Sequence, residues 1–247
     1  MSKKVLVVSA HAADWCTRSG GLLIRYKQLG YHIELIVLTY GEKGESGSYW
    51  KTNPSATLDE VKQCRREETD NAVRFIGIDR VQYLDYGDYP LVMDATRLRE
   101  MTKYILSYRP DIVLTHWVND PFNEDHEIAG KSVVRAISSA GMRGAFPNTD
   151  PHFIPDVFFF ETTVPHSEFN KFEINTYINI DTVFEQKMDA IRSFSSQPQL
   201  LDYYQRYAIV RGAQAHDWSR GRRSIRYAEG YYRYTPYVGE ILPLTTL

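Results

Sequence analysis

His11 and Asp14 stand three residues apart where an apolar run, residues 4–10, gives way to a short polar turn. A neutral imidazole and a carboxylate at that spacing can point at one centre, and the pair suits zinc. Two ligands do not complete a site, so a third has to come from elsewhere. The segment Asn123-Glu124-Asp125-His126 offers one at His126. Two histidines and one carboxylate leave a coordination position open, which is the composition of a catalytic rather than a structural zinc. Asp125 fits either of two roles there, as a ligand itself or as a carboxylate that orients a neighbouring imidazole. Taken singly, each residue has an ordinary reading: a histidine at a strand end is usually hydrogen-bonded structure, and an acid before a helix is usually a cap. Coincidence shifts the balance, because three polar loops, 11–15, 41–48 and 116–126, each follow a predicted strand.

Those loops need a scaffold that gathers them. Residues 4–10 read as a strand and 20–29 as a helix with Leu22, Leu23, Tyr26 and Leu29 on its apolar side. Residues 33–40 form a nearly continuous β-branched and apolar run, typical of a strand buried on both faces. Strand, helix and strand in succession make a βαβ unit with a right-handed crossover. Further helices are predicted over 57–76, where Thr57 and Glu60 make a capping box, and over 94–108, 127–139 and 200–215. Another runs from Asp181 or Thr182 to about Ser193, with Glu185 three residues after Thr182. Strands are predicted over 81–84, 111–115, 157–160 and 177–180, and the tail 217–247 shows no clear pattern. The expected fold is α/β: a Rossmann-like, mostly parallel sheet with helices on both faces, in a single domain spanning 1–247. In such a sheet ligands bind beyond the carboxyl ends of the strands, which is where all three polar loops fall.

Composition narrows the function classes. A net charge of -2 and a pI near 6.4 give no global attraction to nucleic acid or to an anionic membrane. No apolar run approaches the length of a membrane span, and no cleavage site follows a signal-like core at the N-terminus. The two cysteines, Cys16 and Cys64, are too few for a disulfide framework, so a reducing cytoplasm is the expected setting. Aromatic-rich residues 227–237 fit a homo-oligomer contact, and tyrosines lining a crevice would look the same.

The motifs together resemble the LmbE-like (PIG-L) family of zinc enzymes. Its opening His-Pro-Asp-Asp-Glu motif corresponds to His11-Ala12-Ala13-Asp14-Trp15, and its Gly-Glu-x-Gly-Glu loop to residues 41–45. Its Arg-x-x-Glu-x-x-x-Ala helix appears as Arg65, Glu68 and Ala72, and its His-x-Asp-His segment ends at His126. The resemblance implies an LmbE-like fold and Zn2+ held by His11, Asp14 and His126. Most members of that family are N-deacetylases in which the first Asp of the opening motif is the general base. Here that position is Ala13, which neither accepts nor relays a proton, and Trp15 and Asn123 replace a Glu and a His.

A narrower branch shares these departures. The chain is similar to the 4-oxalomesaconate (4-carboxy-2-hydroxymuconate) hydratases of gallate and protocatechuate 4,5-cleavage. The similarity runs through Ser9-Ala10-His11-Ala12-Ala13-Asp14, Gly87-Asp88-Tyr89-Pro90 and a late stretch, Tyr203-Tyr204-Gln205-Arg206-Tyr207-Ala208-Ile209-Val210-Arg211-Gly212-Ala213-Gln214-Ala215. It implies a hydro-lyase whose base is Glu45, with Glu42 as second choice, and whose proton donor is His166. The implied substrate is a small unsaturated tricarboxylate, so Arg65, Arg206 and Arg211 are the expected carboxylate partners, arginine forming a bidentate fork that lysine cannot. Each also fits an ordinary ion pair, and Arg65 also fits a brace for the Glu45 loop. Asn123 joins the substrate-binding residues. The alternative is a zinc-dependent N-deacetylase acting on an N-acetyl amino sugar or related amide.

Overall fold

Val5, Leu6, Val7 and Val8 follow one another without a polar break, and a strand of that kind needs apolar cover on both faces. A computed structural model, which describes residues 2–163, 170–241 and 243, places them in β1 (Lys4–Ser9) at the middle of a seven-stranded sheet. β1 lies between β2 (His32–Val37) and β4 (Ile112–His116), parallel to both. β3 (Arg80–Tyr83) extends the sheet beyond β2, and β5 (Asp156–Phe160) beyond β4, again in parallel. The order is β3-β2-β1-β4-β5-β7-β6, so the chain reverses its direction of travel across the sheet at the β1–β4 boundary. A crevice opens at such a switch point.

The pleat sends alternate β1 residues to opposite faces. Val5 and Val7 join a core with α1 (Asp14–Gln28), α3 (Leu58–Ile76), α6 (Phe184–Ile191) and α7 (Leu200–Trp218). Leu6 and Val8 pack against α4 (Ala95–Tyr108) and α5 (Glu124–Ala140). α2 (Gly47–Thr52) is a single short helix in the loop after β2. The capping box at Thr57 and Glu60 forms as expected.

Three expectations are corrected. The helices expected over 20–29 and 127–139 begin earlier, at Asp14 and Glu124, so Asp14, Asp125 and His126 lie in first helical turns rather than in loops. The Gly20-Gly21 pair, a poor helix former in isolation, is tolerated inside α1 because tertiary packing uses it: a Cβ on Gly21 would stand 2.6 Å from Ile180 Cγ2. The capping box expected near Thr182 does not form; residues 181–183 make a tight turn, and Asp181 instead accepts the Tyr227 amide at 2.6 Å. The unassigned tail contains β7 (Ala228–Arg233), inserted antiparallel between β5 and the edge strand β6 (Thr176–Asn179).

Candidate metal centre

β1 ends at Ser9 and α1 begins at Asp14, so His11 and Asp14 are delivered by a strand end and by the helix that leaves it. The third member comes from the far side of the switch point. Asn123 caps α5 and sets His126 in its first turn. Gly130, one turn further along, lets α5 approach β4; a Cβ there would lie 2.4 Å from the His116 carbonyl oxygen. His11 Nδ1, Asp14 Oδ2 and His126 Nε2 then form a nearly equilateral triangle, with sides of 3.1, 3.2 and 3.3 Å. Tetrahedral zinc with bonds of about 2.0–2.1 Å has ligand–ligand edges of roughly 3.3 Å. The donor set therefore fits such an ion in both chemistry and spacing. Glu45 stands on the open side, its Oε1 3.6 Å from His11 Nδ1, and all four residues form a group able to hold a metal.

Every donor is oriented from behind, as a ligating imidazole or carboxylate requires. His11 Nε2 lies 3.2 Å from Asp125 Oδ2, and Asp125 is fixed by the amides of Tyr89 and Leu91. His126 Nδ1 lies 2.9 Å from Asp120 Oδ2, which also accepts the Thr163 amide at 2.8 Å. Asp14 Oδ1 accepts Arg18 Nη1 at 2.6 Å. Of the two readings of Asp125, the geometry favours the orienting one.

Electrostatics follow from this packing. Burial alone would keep His11 neutral, but Glu45, Asp125 and Asp14 around it raise its pKa well above the usual value. Burial opposes ionisation of Asp14, yet His126, Arg18 and His11 hold its carboxyl well below the usual range. His116 goes the other way: burial and the neighbouring His126 lower its pKa, its Nε2 accepts the Ala10 amide at 2.9 Å, and its ring stacks on His126.

A cleft of about 460 Å³ opens on the centre, with Ala13, Asp14, Arg18, Glu45, Thr163, Gln197 and Tyr203 in its wall. Glu45 accepts the Asn123 side-chain amide at 3.2 Å on one oxygen and that of Gln197 at 3.0 Å on the other. Glu42 is buried outside the metal-holding group, where burial and the nearby Asp88 raise its pKa. Asn123, expected among the substrate-binding residues, touches Glu45 and the His126 amide.

The three expected arginines are not in the cleft wall. Arg65 has no exposed surface; it donates to the Tyr40 carbonyl, Glu68 and Ser196, and Glu68 in turn accepts from the Ser196 amide. It braces the segment that carries Gln197 to Glu45. Arg206 is exposed on α7 and pairs with Asp202 one turn away. Arg211 clasps the Glu161 carboxylate through Nε and Nη2, both at 2.6 Å, while the Glu161 carbonyl accepts Arg18 Nε. The structure therefore does not bring these three together at the cleft: Arg65 is buried beside Glu68, while Arg206 and Arg211 lie on α7 beside Asp202 and Glu161. His166 lies outside the described residues.

Sequence reasoning missed Arg18, Asp120, Thr163 and Gln197. Arg18 had a signal, since it follows Asp14 by one helical turn and so shares its face, but only once the helix is known to start at Asp14. Gln197 meets Glu45 across 152 residues and had none.

Residues 6–137 match the family model PIG-L, described as GlcNAc-PI de-N-acetylase. The chain belongs to the PIG-L family. It is 35% identical over 242 residues to a 4-oxalmesaconate hydratase of Pseudomonas putida, covering 97% of this chain and 92% of that protein. The crystal structure of the 4-carboxy-2-hydroxymuconate hydratase from Pseudomonas putida KT2440 superposes with a TM-score of 0.91 at 35% identity, over 98% of this chain and 100% of that one. Among the deacetylases, diacetylchitobiose deacetylase of Thermococcus kodakarensis is 28% identical over 202 residues, covering 79% of this chain and 70% of that protein. Among the described residues, no PIG-L helix here is long and apolar enough to cross a membrane.

Proposed function

We propose that this chain is a zinc-dependent hydratase that adds water to the C=C bond of 4-oxalomesaconate (4-carboxy-2-hydroxymuconate), with Glu45 as the base. The observation that carries the reading is where the spare carboxylate stands. Ala13 presents only a methyl group to the cleft, while Glu45 presents a carboxylate beside His11. The near full-length similarity to a hydratase supports the same choice.

His11 Nδ1, Asp14 Oδ2 and His126 Nε2 would hold the zinc, which when bound acts as a Lewis acid toward substrate oxygen or water. The chain's own residues do the proton handling. Glu45, oriented by Asn123 and Gln197, takes a proton from the attacking water as its oxygen bonds to the substrate's electrophilic carbon. The π pair of the C=C bond moves toward the conjugated carbonyl, and a proton delivered to the other carbon completes the addition. His166 is the proposed donor. Tyr203 donates to the Thr163 carbonyl at 3.0 Å and so helps close the cleft wall from α7. The two cysteines are unpaired thiols, which fits a cytoplasmic enzyme, and exposed Trp218, Tyr237 and Val238 fit a homo-oligomer contact.

The test is the absorbance of the conjugated substrate after mixing with zinc-loaded protein. Decay that needs zinc and slows by about 10²–10⁴-fold in Glu45→Gln is the expected result. A flat trace from protein with verified bound zinc would overturn the hydratase reading, and acetate release from an N-acetyl amino sugar would then establish the deacetylase alternative.

A further inference from the structure

The cleft wall already holds Asp14 and Glu45, yet the proposed substrate brings further carboxylates to it. Among the described residues in that wall, Arg18 is the one lysine or arginine. It is only 8% exposed. Its Nε donates to the Glu161 carbonyl at 2.9 Å and its Nη1 to Asp14 Oδ1 at 2.6 Å, while Nη2 has no hydrogen-bond partner among the described residues. A guanidinium carries five N–H donors in one plane, so an edge of this one is left to face an incoming group. Its orientation is preset, because Arg211 fixes Glu161 and Glu161 fixes Nε. The competing cations are committed elsewhere: Lys187 to Glu229, Arg65 to Glu68 and Arg206 to Asp202.

We propose that Arg18 is the carboxylate anchor of the cleft. Nη1 holds Asp14 within the donor set, and the Nη2 edge receives one carboxylate of the substrate next to the centre. A charge-assisted pair of this kind is roughly twice as strong as a neutral hydrogen bond, and a buried N–H edge without a protein acceptor gains from a ligand that supplies one. Arg18 therefore selects acids over neutral amides of the same shape. The inference rests on the hydratase reading for the identity of the acid.

The test compares the tricarboxylate with its monoamides, one for each carboxyl group, on the wild type and on Arg18→Gln, with bound zinc measured in each sample. The wild type is expected to disfavour one monoamide by about tenfold to a hundredfold in kcat/KM, the range set by a charged hydrogen bond. Arg18→Gln is expected to lose that preference while KM for the triacid rises. Retention of the wild-type preference by Arg18→Gln would overturn the assignment. Should Arg18→Gln lose zinc or fail to fold, Arg18→Met keeps the aliphatic stem packed in place without the charge, and its acid-to-amide ratio is read the same way. Calorimetry with propane-1,2,3-tricarboxylate separates this proposal from the hydratase reading, since it needs no turnover. If the wild type hydrates nothing, the hydratase reading falls, and the Arg18 assignment stands or falls on whether the wild type binds this triacid more tightly than the variant.

Discussion

The two ends of the sheet do different work. The parallel part, β1 to β4, delivers the donor atoms directly: His11 and Asp14 after β1, Glu45 after β2 and His126 after β4. The last third contributes no donor to that group among the described residues; it adds to the supports, Arg18, Asp120, Asn123 and Asp125, that the first region itself places against the donors. Thr163 holds Asp120, Gln197 holds Glu45, and Arg211 holds the residue that positions Arg18. The family model covers only the first of these regions, residues 6–137. Topology makes the centre, and the C-terminal third decides what its remaining carboxylates are free to do.

Breaking the first region is expected to give the largest effect. His126→Ala removes a donor outright, so bound zinc measured by atomic emission and all hydration are expected to disappear together. Asp120→Asn leaves the donor but loosens its aim, and a loss of about 10–100-fold in metal affinity is expected, in line with other orienting carboxylates. Equal zinc affinity in Asp120→Asn and wild type would remove the distinction between donor and support on which the comparison depends.

Legibility in the sequence follows the same division. Val5 to Val8 and the Thr57–Glu60 cap are local patterns that form where the sequence places them, and the 33–40 run forms a strand that stops at Val37. His11, Asp14, Glu45 and His126 are legible as a set because strand ends in a parallel sheet share one edge. Arg18 was hidden by Gly20 and Gly21, which read as a late helix start until Ile180 and Glu229 are seen packed against Gly21. β7 was hidden by Glu229, an acid that looks out of place in a central strand. Its charge is met by Lys187 and by the Gly21 and Leu22 amides, all remote in sequence. Single-residue periodicity carries no record of such partners. The three expected arginines lie away from the cleft wall for the complementary reason: a cation's sequence position says nothing about which acid already claims it.

The second region is sharpened by Lys187→Met. Lys187 Nζ lies 2.8 Å from Glu229 Oε1, and both side chains are buried. Removing one partner of a buried pair costs about 3–5 kcal/mol. Glu229 keeps the Gly21 and Leu22 amides and the Tyr231 hydroxyl, so the lower end of that range is expected. For a chain of this size that corresponds to a fall in Tm of roughly 6–12 °C. Zinc affinity measured well below the transition is expected to stay within about twofold of wild type, since additivity holds between sites without shared partners. A fall in zinc affinity matching the fall in stability would show the two regions to be one cooperative unit rather than a centre and its support.

The smallest effect separates the arginines. Arg206 and Asp202 form an exposed pair on α7, one turn apart, with side chains 76% and 71% exposed. Solvent screens such a pair, and its contribution to stability is about 0–1 kcal/mol. Arg206→Ala is therefore expected to shift Tm by no more than about 4 °C and to leave KM for the triacid unchanged. Arg211→Ala acts on the same helix but leaves the Glu161 carboxylate without its fork. That segment positions Arg18 through the Glu161 carbonyl, so KM is expected to rise in Arg211→Ala and not in Arg206→Ala. A KM change in Arg206→Ala measured on the isolated, zinc-loaded enzyme would place that exposed guanidinium in contact with substrate and return it to the role first expected of it.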